Sequence, residues 1–265
     1  RFRQMLDEGT RSFALLFDDL PGQLTETDVA AFPSLAAAQC DVANATADWL
    51  RSQRADSRLL FCPTPYCDQM DRQQLGGDGY VDAIGSQLQS GIDVLWTGPE
   101  IVSSEIPAAS IERITRRLRR PPILWDNLFA NDYDLHRLHC GPYAGRDRAL
   151  RDAVRGILIN PNNEYWANEI PLRTFAAYIS GDGPWDPETA YLEALDHWHT
   201  AFSSARTPLQ RDDLRLLTDC FYLPHTAGRD GRRLQELVSI LQQESSASWD
   251  VAYAEFQNLS QRIQR

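Results

Sequence analysis

Ser12-Phe13-Ala14-Leu15-Leu16-Phe17-Asp18-Asp19-Leu20 is a mostly apolar run of strand length that stops at two adjacent carboxylates. It shows no alternation of polar and apolar residues, so it reads as a strand buried on both faces, as in parallel sheets. In parallel α/β architectures the C-terminal ends of strands form the face on which active sites are built. Asp18 and Asp19 are therefore candidates for chemistry. Asp is also common in turns and at helix N-caps, so the pair could equally do no more than close the strand.

The same layout recurs along the chain. Leu59 to Cys62 is a second short apolar run, ending in the Pro-rich turn Pro63-Thr64-Pro65-Tyr66. Ile92-Asp93-Val94-Leu95-Trp96, Ile123-Leu124-Trp125-Asp126-Asn127 and Ile157-Leu158-Ile159-Asn160 follow. Between them, Leu35 to Arg54, Tyr80 to Leu88, Ala109 to Arg119 and Ala149 to Val154 have helical spacing. Strand, polar tip, helix, strand is the mark of βα units and a parallel sheet. Polar and aromatic residues gather where each strand gives way to its loop.

A closed (β/α)8 barrel typically takes about 250 residues and needs eight strands. Only five strands can be counted before the pattern changes near Gly181. The expected fold is therefore α/β: the C-terminal part of a TIM-type barrel over residues 1–182, followed by an all-helical, stalk-like domain over 183–265. On this reading the chain begins inside a domain, and an upstream segment or a second chain completes the barrel. After the Gly/Pro-rich break at Gly181-Asp182-Gly183-Pro184, Tyr191, Leu192, Leu195 and Trp198 make one helical apolar face. Leu234, Leu237, Val238 and Leu241 continue the style, then Val251, Ala254, Phe256 and Leu259, while Asp212 to Leu223 forms a helix ended by Pro224.

Composition narrows the function classes. Apolar residues at 43% and charged residues at 24% of 265 describe a globular chain with a sizeable core. No apolar run approaches membrane-spanning length. With 26 basic against 37 acidic residues the net charge is −11, which disfavours nucleic acid as a partner. The cluster Arg116-Arg117-Leu118-Arg119-Arg120 reads as a solvated helix end, where cations complement the helix dipole. Five scattered cysteines resemble a reduced chain, in keeping with a cytoplasmic setting. Cys62 and Cys67 lack a second ligand pair, and His136, His139, His197 and His199 read as surface or loop residues, so no metal and no cofactor are expected.

Several short motifs occur together in one order: Phe13-Ala14-Leu15-Leu16-Phe17-Asp18-Asp19, Phe61-Cys62-Pro63-Thr64 with Tyr66-Cys67, Val94-Leu95-Trp96-Thr97-Gly98-Pro99, Trp125-Asp126-Asn127 with Ala130-Asn131-Asp132-Tyr133-Asp134, Gly141-Pro142-Tyr143, and Asn160-Pro161-Asn162. Together they resemble the protein O-GlcNAcase family, the β-N-acetylglucosaminidases of glycoside hydrolase family 84, over about residues 10 to 180. Phe221-Tyr222-Leu223-Pro224 is a fainter likeness to the family's helical stalk. The family's Gly-Phe-Tyr-Gly motif and sugar-binding Lys, which lie upstream, are absent from this sequence.

The resemblance implies a substrate-assisted mechanism, in which the substrate's own 2-acetamido oxygen attacks and the protein supplies no nucleophile. By resemblance Asp18 orients and polarises the acetamido N–H, and Asp19 protonates the leaving oxygen, then activates water. Tyr66 would hydrogen-bond the acetamido group and Trp125 would wall the pocket. Asn127 would contact the acetamido group or Asp19, Asp132 and Asn160 would bind the sugar hydroxyls, and Tyr133 would meet the aglycone. Trp125 could instead be core and Asn160 only a turn residue. Asp126 and Asn131 read as loop-fixing. The implied substrate is an O-GlcNAc-modified protein or glycan, and a homodimer through the helical part is a further implied partner. The readings from other classes are a lectin-like or inactive N-acetylglucosamine binder and a helical interaction scaffold.

Overall fold

The computed structural model describes residues 1–134, 136–202, 208–243 and 248–264. Strands β1 (Ser12–Leu16), β2 (Arg58–Cys62), β3 (Ile92–Trp96), β4 (Ile123–Asp126) and β5 (Gly156–Ile159) form one parallel sheet in the order β1-β2-β3-β4-β5. The register pairs Phe13 with Leu59, Leu59 with Ile92, Leu95 with Ile123 and Leu124 with Ile157. Each strand lies beside its successor in sequence, with a helix in every crossover. A doubly wound sheet reverses its strand order partway across, whereas a barrel does not, so this is part of a TIM-type barrel.

The contacts divide the chain into two compact units, Arg1–Asn127 with Gly145–Ile159, and Leu128–Ala144 with Asn160–Arg265. The first holds the sheet. Its helix Leu35–Gln53 starts at Ser34, whose hydroxyl accepts from Ala37 N at 3.2 Å. That helix buries Ala36, Cys40, Ala43, Ala47 and Leu50, a stripe of mostly small residues at helical spacing. Ile84 and Ile111, from helices Tyr80–Gln87 and Ala108–Leu118, join Leu59, Phe61, Ile92, Val94 and Leu124 in the same core. Those two helices approach closely at Gly85, where a Cβ would lie 2.0 Å from the Arg117 carbonyl oxygen.

Two expectations are corrected in this unit. β1 is not buried on both faces: only Phe13 is, and Leu16 is 47% exposed. β1 lies at the edge of the sheet, with a neighbour on one side alone. A helix, Phe2–Asp7, precedes it and sets Phe2 against Phe13 with ring centroids 5.1 Å apart. The basic cluster is not simply solvated either. Arg117 pairs with Asp71 and Asp82, while Arg120 donates to the carbonyls of Leu88 (2.8 Å), Gln89 (2.6 Å) and Ile92 (3.0 Å). Arg120 thus satisfies main-chain acceptors left over where the helix Tyr80–Gln87 ends.

The second unit is helical: Glu169–Ser180, Pro187–His199, Arg211–Cys220, Arg229–Leu241 and Trp249–Ile263. Asp186 caps the second of these ahead of a Pro at the first turn, accepting from Glu188 N at 3.2 Å. Tyr191, Ala194 and Leu195 pack on Ile170 and Leu214. The helix expected to run to Leu223 ends earlier, at Cys220, so Pro224 does not stop it; Leu223 and Thr226 form a bridge instead. The expected apolar face of the last two helices is only partly covered: Leu237 is buried, but Val238 is 39% and Val251 70% exposed, Ala254 is exposed, and the residue that the last helix buries is Ala252, outside the expected face. No helix among the described residues is long and apolar enough to cross a membrane.

Candidate active site

Asp18 and Asp19 follow β1, and a hydrogen-bonded frame holds the backbone that delivers them. Phe17 extends the strand by donating to the Cys62 carbonyl at 2.9 Å, and its own carbonyl accepts from Thr64 Oγ1 at 2.7 Å. Thr64 is fully buried and engaged on all sides: its hydroxyl accepts from Gln39 Nε2 at 2.7 Å, and its N–H donates to the Tyr80 hydroxyl at 3.3 Å. Tyr80 in turn donates to Gln39 Oε1, which closes the network. Each member is satisfied, so the network rigidifies the end of β1. Asp18 is half-buried and Asp19 exposed.

Tyr66 leaves the end of β2, next in the sheet. Its carbonyl accepts from Thr97 N at 2.8 Å, which ties its backbone to the end of β3. Burial first, then the negative charges of Cys67, Asp19 and Asp18, push the Tyr66 phenol up to about 12. The hydroxyl therefore keeps its proton and acts as a donor, close enough to both acids to feel them. The Cys62 thiol is raised by burial and by the same two acids.

Trp125 and Asn127 come from β4 and its end. Alternation along a strand sets these two on one face and Asp126 on the other. Trp125 is half-buried, and Asn127 donates its amide to the Ile101 carbonyl at 2.9 Å. Asp126 is fully buried against Arg146, a partner that sequence spacing did not suggest.

The other three predicted residues, Asp132, Tyr133 and Asn160, belong to the second unit. Two buried asparagines bring their carrier segments together. Asn131 Nδ2 donates to the Arg137 carbonyl (2.8 Å) and to Glu164 (2.7 Å), and its Oδ1 accepts from Asn163 N (2.8 Å). Asn162 accepts from His139 N at 2.7 Å and donates back to the His139 carbonyl at 3.0 Å. Asn131 thus fixes its loop as expected. Tyr133 is 57% exposed, with its hydroxyl 3.3 Å from His139 Nε2.

His139 is the residue that sequence reasoning misjudged. It lies in a loop, as expected, but not at the surface: it is 1% exposed, and burial, then the charges of Arg137 and His225, push its imidazole down to about 4. Gly141 explains part of the Gly-Pro-Tyr motif: its N–H donates to the Tyr222 carbonyl at 2.6 Å, and a Cβ there would meet the same oxygen at 2.6 Å. Among the described residues no group of three or more His, Cys, Asp or Glu could hold a metal ion.

A parallel βα sheet of the TIM-barrel type, with two acids following β1 and a tyrosine following the neighbouring strand β2, is the class of architecture that this chain presents. The model of the beta-N-acetylglucosaminidase family matches residues 1–218, and the chain belongs to that family. It is 42% identical over 179 residues to the Protein O-GlcNAcase of Rattus norvegicus and to that of Mus musculus. The match takes in 68% of this chain but 19% of each relative, so the chain spans about a fifth of the length of these curated proteins. Among solved structures, a mutant of the Thermobaculum terrenum O-GlcNAc hydrolase superposes with a TM-score of 0.74 at 26% identity, covering 99% of this chain and 53% of that one. The structure of CpGH84B, at 19% identity, shares the fold with a TM-score of 0.70, over 98% of this chain and 43% of that one.

Proposed function

We propose that this chain supplies the catalytic residues of a retaining β-N-acetylglucosaminidase that removes O-linked N-acetylglucosamine from Ser or Thr of proteins. The observation that carries the reading is the pair Asp18 and Asp19 following β1, with Tyr66 following the adjacent strand β2 and its phenol raised first by burial and then by neighbouring charges that include both acids. In this mechanism Asp18 accepts the substrate's acetamido N–H and turns the acetamido oxygen onto the anomeric carbon. Asp19 gives its proton to the departing serine or threonine oxygen, and an oxazoline forms. Asp19, now a carboxylate, then takes a proton from water as the water opens the oxazoline. Tyr66 donates to the acetamido group as charge develops there. Intramolecular attack in a held geometry is worth about 7–11 kcal/mol, which is why no protein nucleophile is needed.

Trp125, Asn127, Asp132, Asn160 and Tyr133 complete the proposed pocket in the roles that the resemblance gives them. The division at residue 182 into catalytic barrel and stalk belongs to the same proposal, as does a homodimer through the helical part. So does completion of the sheet to a closed barrel by residues outside this chain, supported by the free edges of β1 and β5. A reduced, cytoplasmic setting is supported by the five free cysteines. The test is hydrolysis of an aryl N-acetyl-β-glucosaminide and of an O-GlcNAc peptide by a protein containing this chain. Release of the β-anomer first, with loss of turnover in Asp18→Asn, is the expected result. Binding of the sugar without turnover would replace this reading with that of a lectin-like module.

A further inference from the structure

A cavity of about 380 Å³ opens within the second unit, and none of the residues lining it has a role in the pocket proposed above. One wall is Arg137 and Leu138. The others are the stretch from Cys220 to Ala227 and the exposed face of the helix Arg229–Leu241 at Arg232 and Gln235. Its shape is built in by main-chain bonds: Cys140 N donates to the Phe221 carbonyl at 2.5 Å and Gly141 N to that of Tyr222 at 2.6 Å. These bonds hold the loop that carries Arg137 against the Phe-Tyr-Leu-Pro stretch.

The lining is cationic in an acidic chain. Acids outnumber bases 37 to 26 overall, yet the cavity is lined by Arg137, His225 and Arg232 and by no Asp or Glu. Arg232 spends Nη1 on the Ala227 carbonyl at 2.7 Å, which fixes its side chain beside the cavity. Arg137 is exposed, and within the described residues no hydrogen bond or ion pair engages its guanidinium. The buried His139 imidazole feels the positive charge of Arg137, so that cation lies close to the wall of the cavity.

We propose that this cavity is a binding site for an oxyanion group, a carboxylate or a phosphate. Guanidinium groups recognise such groups in bidentate fashion, and two of them line this one cavity. Arg137 lies five residues beyond Asp132 on the same loop, so an anion held here would report directly to the loop that carries Asp132 and Tyr133. The inference does not depend on catalysis, because it is read by binding alone.

The experiment is titration calorimetry at low ionic strength, using the whole chain. One arm uses inorganic phosphate. The other uses a short peptide rich in Asp and Glu, with its Asn/Gln counterpart as control. The double variant Arg137→Gln/Arg232→Gln should weaken anion binding by about tenfold or more, the scale of one lost charge-assisted hydrogen bond. Arg137→Lys should keep part of the affinity, and an unchanged melting temperature would show that the variants fold. An acidic peptide binding well above phosphate assigns the anion to a polypeptide, and comparable affinities assign it to a free ion. No binding of either probe, equal binding of the acidic and neutral peptides, or full affinity in the double variant would overturn the proposal.

Discussion

Arg146 grips Asp126 with two parallel bonds, Nε to Oδ2 at 2.8 Å and Nη2 to Oδ1 at 2.5 Å, and neither side chain is exposed. Arg146 also donates Nη1 to the Ser104 carbonyl at 3.1 Å. The pair is thus anchored to the segment after β3 as well as to β4. Asp126 sits between Trp125 and Asn127, so this ion pair fixes the stretch of chain that presents both. Removing one partner takes the opposite charge away from a buried ion. Arg146→Met should therefore lower stability by about 3–5 kcal/mol in urea unfolding. The double variant Asp126→Leu/Arg146→Met should recover much of that loss; no recovery would show that the cost lies in packing and not in the stranded charge.

Thr64 is the second support. Thr64→Val keeps the shape but leaves the Phe17 carbonyl and the Gln39 amide without their partner. The expected loss is about 1–3 kcal/mol of stability, from buried polar groups left unsatisfied. If the network positions Asp18 as well as stabilising the core, turnover of an aryl N-acetylglucosaminide at a temperature where the variant is fully folded should fall too. Thr64→Ser, which retains the hydroxyl, should restore both.

Much of this was legible in the chain itself. Ile92-Asp93-Val94-Leu95-Trp96 and its counterparts are short apolar runs with polar tips, and such runs declare parallel strands, the central β2 and β3 being the ones most fully covered. The strand β1 looked the same but is an edge, and nothing in its composition says how many neighbours it has. Arg120 could not be read as a main-chain cap because the carbonyls it serves, from Leu88 to Ile92, come from a preceding βα unit. Likewise Asp126 and Arg146 are twenty residues apart, and their meeting depends on how the loop folds back. His139 misled for a related reason: its partner Asn162 lies in a distant segment, and a histidine beside other polar residues looks solvent-facing until that segment closes over it.

The two acids should separate by leaving group. Asp19→Ala should lose about 10²–10⁴-fold in turnover for substrates with poor leaving groups, and much less where the leaving phenol needs no proton. Asp18→Asn should lose turnover across the whole series, because acetamido orientation matters whatever departs. Tyr66→Phe should follow Asp18→Asn in being indifferent to the leaving group, with a smaller loss. Equal dependence of both Asp variants on leaving-group pKa, measured over a series of aryl N-acetylglucosaminides, would reject the division of labour.

His139 sets a pH limit on the second unit. In the unfolded chain its imidazole takes up a proton below about 6.5, its ordinary value, whereas in the folded protein it resists protonation down to about 4. The unfolded state therefore binds the proton first, and stability falls as pH drops through that window, by at most about 1.4 kcal/mol per pH unit. Burial is the main cause. Arg137 and His225 add to it, Asp134 opposes it, and the Tyr133 hydroxyl at 3.3 Å can serve either tautomer of the neutral ring. His139→Phe removes the titration and the tyrosine contact but preserves bulk. Urea unfolding of the wild type and the variant from pH 7.5 to 4.5 should give curves that converge toward acid, since carboxylates common to both cancel in the difference. A difference that stayed constant over that range would mean that His139 is solvated enough to protonate normally, and that Tyr133 is not held by a neutral imidazole.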